Sequence, residues 1–224
     1  MTRGPTRRQV LACISVLAVP PGVRAADAGD LFRAITQDSD QTVRRLLADG
    51  IDPNAKNEKG VPALYLALQE GSLKAANALL ESPRLKPEQR NTTDESPLMM
   101  AALNGYLDIA RRLIALDADV NKPGWTALHY AATNGQLQMM DLLLEHHAFI
   151  DAQAPNGNTP LMMAAYFGTP EAVKLLIQAG ADLNLRNQNG MTALDLAQRA
   201  NHGNSAELIV AGLRRAQGVP RGQW

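Results

Sequence analysis

The side chains best suited to chemistry in this 224-residue chain are four histidines, one cysteine and three methionine pairs. Glu145, His146 and His147 are consecutive ligand types, but adjacent residues on a helix point apart, so they do not converge on a metal ion. Met99-Met100, Met139-Met140 and Met162-Met163 offer thioethers of the kind copper(I) accepts. Thioethers also fill irregular gaps between helices, and packing is the stronger reading here. Cys13 stands alone, which excludes an intramolecular disulfide and any multi-thiolate zinc or iron–sulfur site. There is no Gly-rich phosphate loop, His-Glu-x-x-His or nucleophile elbow. His129 lies three residues after Thr126, a spacing that lets the ring bond back to the turn before a helix, while His202 is expected in a solvated loop. No acid, base and nucleophile converge, so the chain is expected to bind rather than catalyse, with no cofactor and no metal.

Composition narrows the partner. Lys+Arg and Asp+Glu are both 22, which argues against a dedicated nucleic-acid binder. That balance is uneven along the chain. Arg3, Arg7 and Arg8 precede the apolar run Val10–Val19, which stops at Pro20-Pro21 and is followed by Val23-Arg24-Ala25, a small-x-small cleavage pattern. Ten residues span about 15 Å of helix, half of a bilayer core, so the run is too short for a membrane anchor. Residues 1–25 therefore read as a signal peptide, and Thr6-Arg7-Arg8-Gln9-Val10-Leu11 matches the twin-arginine type, with a plain secretory signal as the alternative. Cleavage after Ala25 would remove Cys13 and four arginines, leaving 18 basic against 22 acidic side chains, a charge of −4. The mature protein is expected in the periplasm as a monomer without a membrane anchor.

The rest repeats. A leucine recurs at Leu31, Leu64, Leu98, Leu128, Leu161 and Leu194, and around it Gly124–Gly135 and Gly157–Gly168 align residue for residue. Each unit reads as two helices. Ser96 and Thr159 are placed as N-caps before Pro97 and Pro160, which begin a first helix at no cost in hydrogen bonds. Leu98, Ala101 and Ala102, like Leu128, Ala131 and Ala132, form one apolar stripe. Gly71, Gly105, Gly135 and Gly168 are expected to end these helices in a left-handed turn. The second helices are expected to bury Ile109, Ala110, Leu113 and Ile114, or Met139, Met140, Leu143 and Leu144. Gly50 and Gly180 close two of them, and His147 takes that glycine's place in another. Alanine pairs let helices approach closely, which explains an aromatic content of only 4%.

These blocks, with Asp117–Asn121 and Gly180–Asn184 closing two units, resemble the ankyrin-repeat family over residues 30–213. The resemblance implies an all-α repeat solenoid: six stacked helix-turn-helix repeats joined by β-hairpin fingers, with a concave binding surface. The repeats run near 27–54, 55–87, 88–121, 122–151, 152–184 and 185–215 of a 26–215 domain, and 216–224 read as a flexible tail. Departures from the pattern carry information. Repeat one exposes Arg33, Thr36, Gln37, Arg44 and Arg45, as an N-terminal cap requires. Pro83 and Pro87 reshape the end of repeat two, the fourth finger is three residues short at Lys122-Pro123, and the last unit reads as a two-residue insertion around Asn201-His202.

The family implies that variable finger and first-helix residues face a protein partner. Here these are Trp125, Thr133 and Asn134 in repeat four, Asn158, Tyr166 and Phe167 in five, Met191, Gln198 and Arg199 in six, and Leu103 and Asn104 in three. Glu58, Lys59, Val61, Glu95, Lys122 and Pro123 occupy corresponding slots. Trp125, Tyr166, Phe167 and Met191 are expected to form one exposed apolar patch, unless Trp125 folds over the shortened finger. By resemblance to exported bacterial ankyrin proteins, the partner is a folded protein of envelope stress defence such as a periplasmic catalase. The alternative is an immunity or inhibitor protein that neutralises a toxin enzyme.

Overall fold

The computed structural model describes residues 27–216, so the expectations for the signal peptide, Cys13 and the tail beyond Ala216 lie outside the described residues. Within them the chain forms helices in consecutive pairs. These are α1 (Ala28–Thr36) with α2 (Asp40–Ala48), α3 (Ala63–Gln69) with α4 (Leu73–Leu80), and α5 (Pro97–Asn104) with α6 (Leu107–Ala115). There follow α7 (Ala127–Thr133) with α8 (Leu137–Glu145), α9 (Pro160–Tyr166) with α10 (Pro170–Gln178), and α11 (Ala193–Arg199) with α12 (Gly203–Ala216). Odd-numbered helices pack on odd and even on even, giving two layers of an all-α repeat solenoid. No described helix is long and apolar enough to cross a membrane.

The first helices start as their capping residues dictate. Ser96 and Thr159 accept the amides of Met99 and Met162 at 3.2 and 3.3 Å, and the following prolines are the first helical residues. Leu98, Ala101, Ala102, Leu128, Ala131 and Ala132 are wholly buried, which brings adjacent inner helices together without large rings. In the outer layer Ile109, Ala110, Leu113, Met139, Met140 and Leu143 are buried as expected. Ile114 and Leu144 are only half-buried, and Leu142 is buried instead. At about 100° per residue, Leu144 lies far round the helix from Met139, at the edge of the stripe, whereas Leu142 shares its face. All six paired methionines are buried, so their thioethers fill the core.

Two turns differ from expectation. Gly71, Gly105 and Gly135 have positive φ, but Gly168 does not. Its amide bonds Ala164 O at 3.0 Å just past the end of α9, and a Cβ there would sit 2.4 Å from Ala132 O. Glycine is required at 168 for close approach. The last unit contains no insertion in its turn, because Asn201 (φ 58) takes the left-handed position and the His202 amide bonds Ala197 O as Gln136 bonds Ala131 O. His202 is half-buried rather than solvated, with Nδ1 3.1 Å from Ala165 O. His147 does adopt the positive φ of the glycine it replaces.

The fingers are tight turns more than ribbons. Among the described residues one isolated antiparallel bridge, Lys56 with Pro62, is present. Side chains hold the turns: Asn57 Oδ1 accepts the amides of Lys59 and Val61 at 3.0 and 2.9 Å, and Asn187 Oδ1 those of Asn189 and Met191 at 3.0 Å each. Adjacent repeats are tied by a second ladder. Asn54, Asn121 and Asp151 accept the amides of Lys86, Phe149 and Asp182 in the following repeat at 2.7 to 3.0 Å, and Glu88 accepts that of Asp119 at the other end of its own unit at 3.1 Å. At the reshaped end of repeat two, Arg84 Nη2 donates to Leu47 O and Ile51 O at 3.0 Å each, closing the carboxyl end of α2.

Candidate functional site

One residue at the end of each finger stands just before the next first helix. The finger residues are Val61, Glu95, Trp125, Asn158 and Met191, each half-buried and each preceded by a residue with positive φ. That left-handed step turns the chain into the helix.

An organised polar centre surrounds Glu95. Glu95 accepts the Tyr65 hydroxyl at 2.7 Å, the Tyr130 hydroxyl at 2.6 Å, Asn91 Nδ2 at 2.7 Å and Thr93 Oγ1 at 2.9 Å. Burial works against its charge, but these four donors outweigh it and hold the carboxyl below its ordinary pKa. Burial first, then the Glu95 charge, pushes both phenols upward. Trp125 meets Tyr130 edge-on with ring centroids 6.5 Å apart, and His129 at 5.3 Å.

Below it lies the shortened fourth finger. Lys122, expected to face the groove, is instead 3% exposed. Three missing residues leave carbonyls without neighbours, and the ammonium supplies them: Nζ donates to Pro123 O at 3.0 Å and Trp125 O at 3.1 Å and pairs with Asp94 Oδ2 at 2.8 Å. Next to it, His129 Nδ1 accepts the Thr126 amide at 3.2 Å, so Nε2–H donates to Asn158 O at 3.0 Å.

Further along, Phe167 is 57% exposed and Tyr166 meets it edge-on at 4.5 Å. The ring contacts of the described residues thus fall into two groups, one around Trp125 and one at Tyr166–Phe167. Asn104, Asn134, Gln198 and Arg199 are exposed, and Leu103, Thr133 and Met191 are half-buried. Asn134 Nδ2 donates to Leu103 O at 2.9 Å and Thr133 Oγ1 to His129 O at 2.8 Å, while Asn158 Oδ1 receives Asn187 Nδ2 at 2.8 Å. Tyr65 and Tyr130 were not singled out by sequence reasoning; Tyr65 stands in the slot that holds His129 in repeat four, and that was the signal available. Phe149, 65% exposed, was also missed. Among the described residues no group of three or more His, Cys, Asp or Glu side chains could hold a metal ion.

Helix pairs stacked in two layers and joined by tight turns define a repeat solenoid of the kind that serves as a protein-interaction module. The chain belongs to the ankyrin-repeat family. Family models for ankyrin repeats in three copies match residues 83–154 and 147–215, and one for ankyrin repeats in many copies matches 31–80. Among curated relatives, the rat Ankyrin repeat and SAM domain-containing protein 6 is 33% identical over 70% of this chain and 15% of its own length. The mouse B-cell lymphoma 3 protein homolog is 32% identical over 70% of this chain and 36% of its own. The chain thus spans little more than a third, or less, of these relatives. Solved bacterial structures match over nearly their whole length. A chain in the structure of the Bd0816 predatory endopeptidase from Bdellovibrio bacteriovorus in complex with immunity protein Bd3460 has 30% identity and a TM-score of 0.71, covering 83% of this chain and 99% of that one. An ankyrin repeat domain from Acinetobacter baumannii AYE has 27% identity and a TM-score of 0.70, covering 81% and 96%.

Proposed function

We propose that this protein is a non-enzymatic module that holds a folded partner protein in its concave groove, and that it does so in the periplasm after export. The observation that carries the reading is Phe167, a large ring more than half exposed at the end of a wholly packed inner helix, with Tyr166 braced against it. An exposed aromatic on a rigid support is a typical anchor of a protein interface. Export rests on the arginines and short apolar run of residues 1–25.

The likeness to a chain from an endopeptidase–immunity protein complex favours a second, narrower reading, in which the partner is an enzyme that the groove blocks. A periplasmic catalase is the other partner class in view, and there binding would support activity. Tagged protein isolated from periplasm, with Phe167→Ala as control, tests both. Recovery of a peptidase whose activity falls on binding supports inhibition, and recovery of an active catalase supports the stress-defence reading. Equal recovery by wild type and Phe167→Ala sinks the groove assignment, and protein found only in the cytoplasm with residues 1–25 intact sinks export.

A further inference from the structure

The polar centre at Glu95 has charge left over. Glu95 is half-buried, yet the donors to its carboxylate, Tyr65, Tyr130, Asn91 and Thr93, are all neutral. The two cations nearby are committed elsewhere. Arg90 pairs with Glu88 at 2.7 Å, Asp94 at 3.2 Å and Asp119 at 3.5 Å, and Lys122 pairs with Asp94 at 2.8 Å. Three carboxylates therefore share these two cations, and Glu95 pairs with neither. Half-buried Tyr130 borders it through its bond to Glu95, and half-buried Trp125 stands edge-on against the Tyr130 ring. A carboxylate kept ionised beside aromatic rings is complementary to a cation that carries its own apolar stem.

We propose that Glu95, Tyr130 and Trp125 form the seat for a lysine or arginine side chain of the partner protein. This rests on the groove-binding reading and adds the chemistry of one contact to it. Phe167 then takes an apolar residue two repeats away, so the partner's surface is expected to be basic toward repeat three and apolar toward repeat five.

The seat can be tested without the partner. Nα-acetyl-arginine amide and its neutral counterpart Nα-acetyl-citrulline amide are titrated into the protein while backbone amide resonances are followed. The arginine probe is expected to shift Glu95, Trp125 and Tyr130 and to bind about tenfold more tightly than citrulline, as an exposed cation–π contact and an exposed ion pair together allow. Glu95→Gln, checked for folding by circular dichroism, is expected to bring arginine down to the citrulline level. Equal response to both probes, or arginine shifts confined to other repeats, overturns the seat. If Glu95→Gln does not fold, the difference between the two probes on the wild-type protein decides alone. Capture of a partner equally by wild type and folded Glu95→Gln also overturns the seat but leaves groove binding standing. Arginine binding at Glu95 with no protein ever captured sustains the seat and sinks the proposed function.

Discussion

The imidazole of His129 spans two repeats: Nδ1 takes the amide of Thr126, and Nε2–H donates across 3.0 Å to the backbone carbonyl of Asn158. The bond from Thr126 needs an unprotonated Nδ1, so only the neutral ring makes it. Burial lowers its pKa to about 4 from an ordinary 6.5. Below pH 6.5 the unfolded chain therefore binds a proton that the folded chain refuses, and stability falls as pH drops from 6.5 to about 4. The full loss is on the order of 3 kcal/mol. Urea unfolding at pH 7 and 4.5 is expected to show this, and His129→Met, which copies Met99 and Met162 in the same slot, is expected to remove most of the difference. An unchanged pH dependence in His129→Met would falsify the assignment.

Lys122 offers a separate test of the shortened finger. Replacing it with methionine keeps the stem but leaves the Pro123 and Trp125 carbonyls without their donor, which costs about 1–3 kcal/mol. Asp94 is 62% exposed on its side chain and keeps its pairing with Arg90, so losing the Lys122 ion pair adds little. Because the Trp125 carbonyl is one of the two released, tryptophan fluorescence of the folded variant is expected to shift. A variant as stable as wild type with unchanged emission contradicts the role.

The glycines at 168 and 203 should respond in opposite directions to alanine. At Gly168 the new Cβ meets backbone, Ala132 O at 2.4 Å and Ala164 Cα at 2.9 Å, and backbone cannot rotate away. Overpacking of this kind costs about 1–3 kcal/mol. At Gly203 nothing lies within 4 Å and φ is not positive, so alanine at the start of α12 is expected to stabilise by about 0.4–1 kcal/mol. Thermal melts of the two variants check the pair, and melting shifts of the same sign refute it.

Trp125 and Phe167 separate stability from binding. Phe167→Ala is expected to change unfolding free energy by no more than about 0.5 kcal/mol, since the ring is mostly exposed, while weakening partner binding by about 1–3 kcal/mol. Trp125→Ala removes a ring packed on His129 and Tyr130 and is expected to cost about 2 kcal/mol of stability as well. Calorimetry of binding and unfolding on both variants distinguishes them; a Phe167→Ala protein that binds normally removes the anchor.

How much of this was legible follows from the range of each interaction. The helix pairs, the caps at Ser96 and Thr159 and the bond from His129 back to Thr126 depend on residues within four positions, and periodicity exposes them. Gly168 and Asn201 were misread because residue type suggests a left-handed turn but does not impose one. Neighbouring backbone claims the space at 168, and asparagine can adopt at 201 the conformation that glycine has elsewhere. The Glu95 centre was not legible at all. Its phenols come from positions 30 and 35 residues away in different repeats, where only stacking brings them together. Lys122 was placed in the groove because a shortened finger gives no sequence signal for which way its side chains turn.

Phe149 marks a place where stability has been left unused. Asp52, Asp119 and Asp182 occupy the same position in other repeats, and each accepts the amide two residues on, from Asn54, Asn121 and Asn184, at 2.8 to 3.0 Å. Phe149 cannot do this, and its ring is 65% exposed to water. The loop is held instead by Asn121, whose Oδ1 accepts the Phe149 amide at 2.7 Å and whose Nδ2 donates to His147 O at 2.8 Å. Both bonds involve backbone of that loop, so they survive substitution of the side chain. Phe149→Asp is therefore expected to add an accepted amide at Asp151 and remove an exposed ring, raising stability by about 0.5–1 kcal/mol. Chemical denaturation reads the gain directly. If Phe149→Asp lowers stability instead, the ring packs against the loop more closely than its exposure indicates. If it raises stability but abolishes capture of the partner, Phe149 belongs to the binding surface, and the interface takes in the end of repeat four.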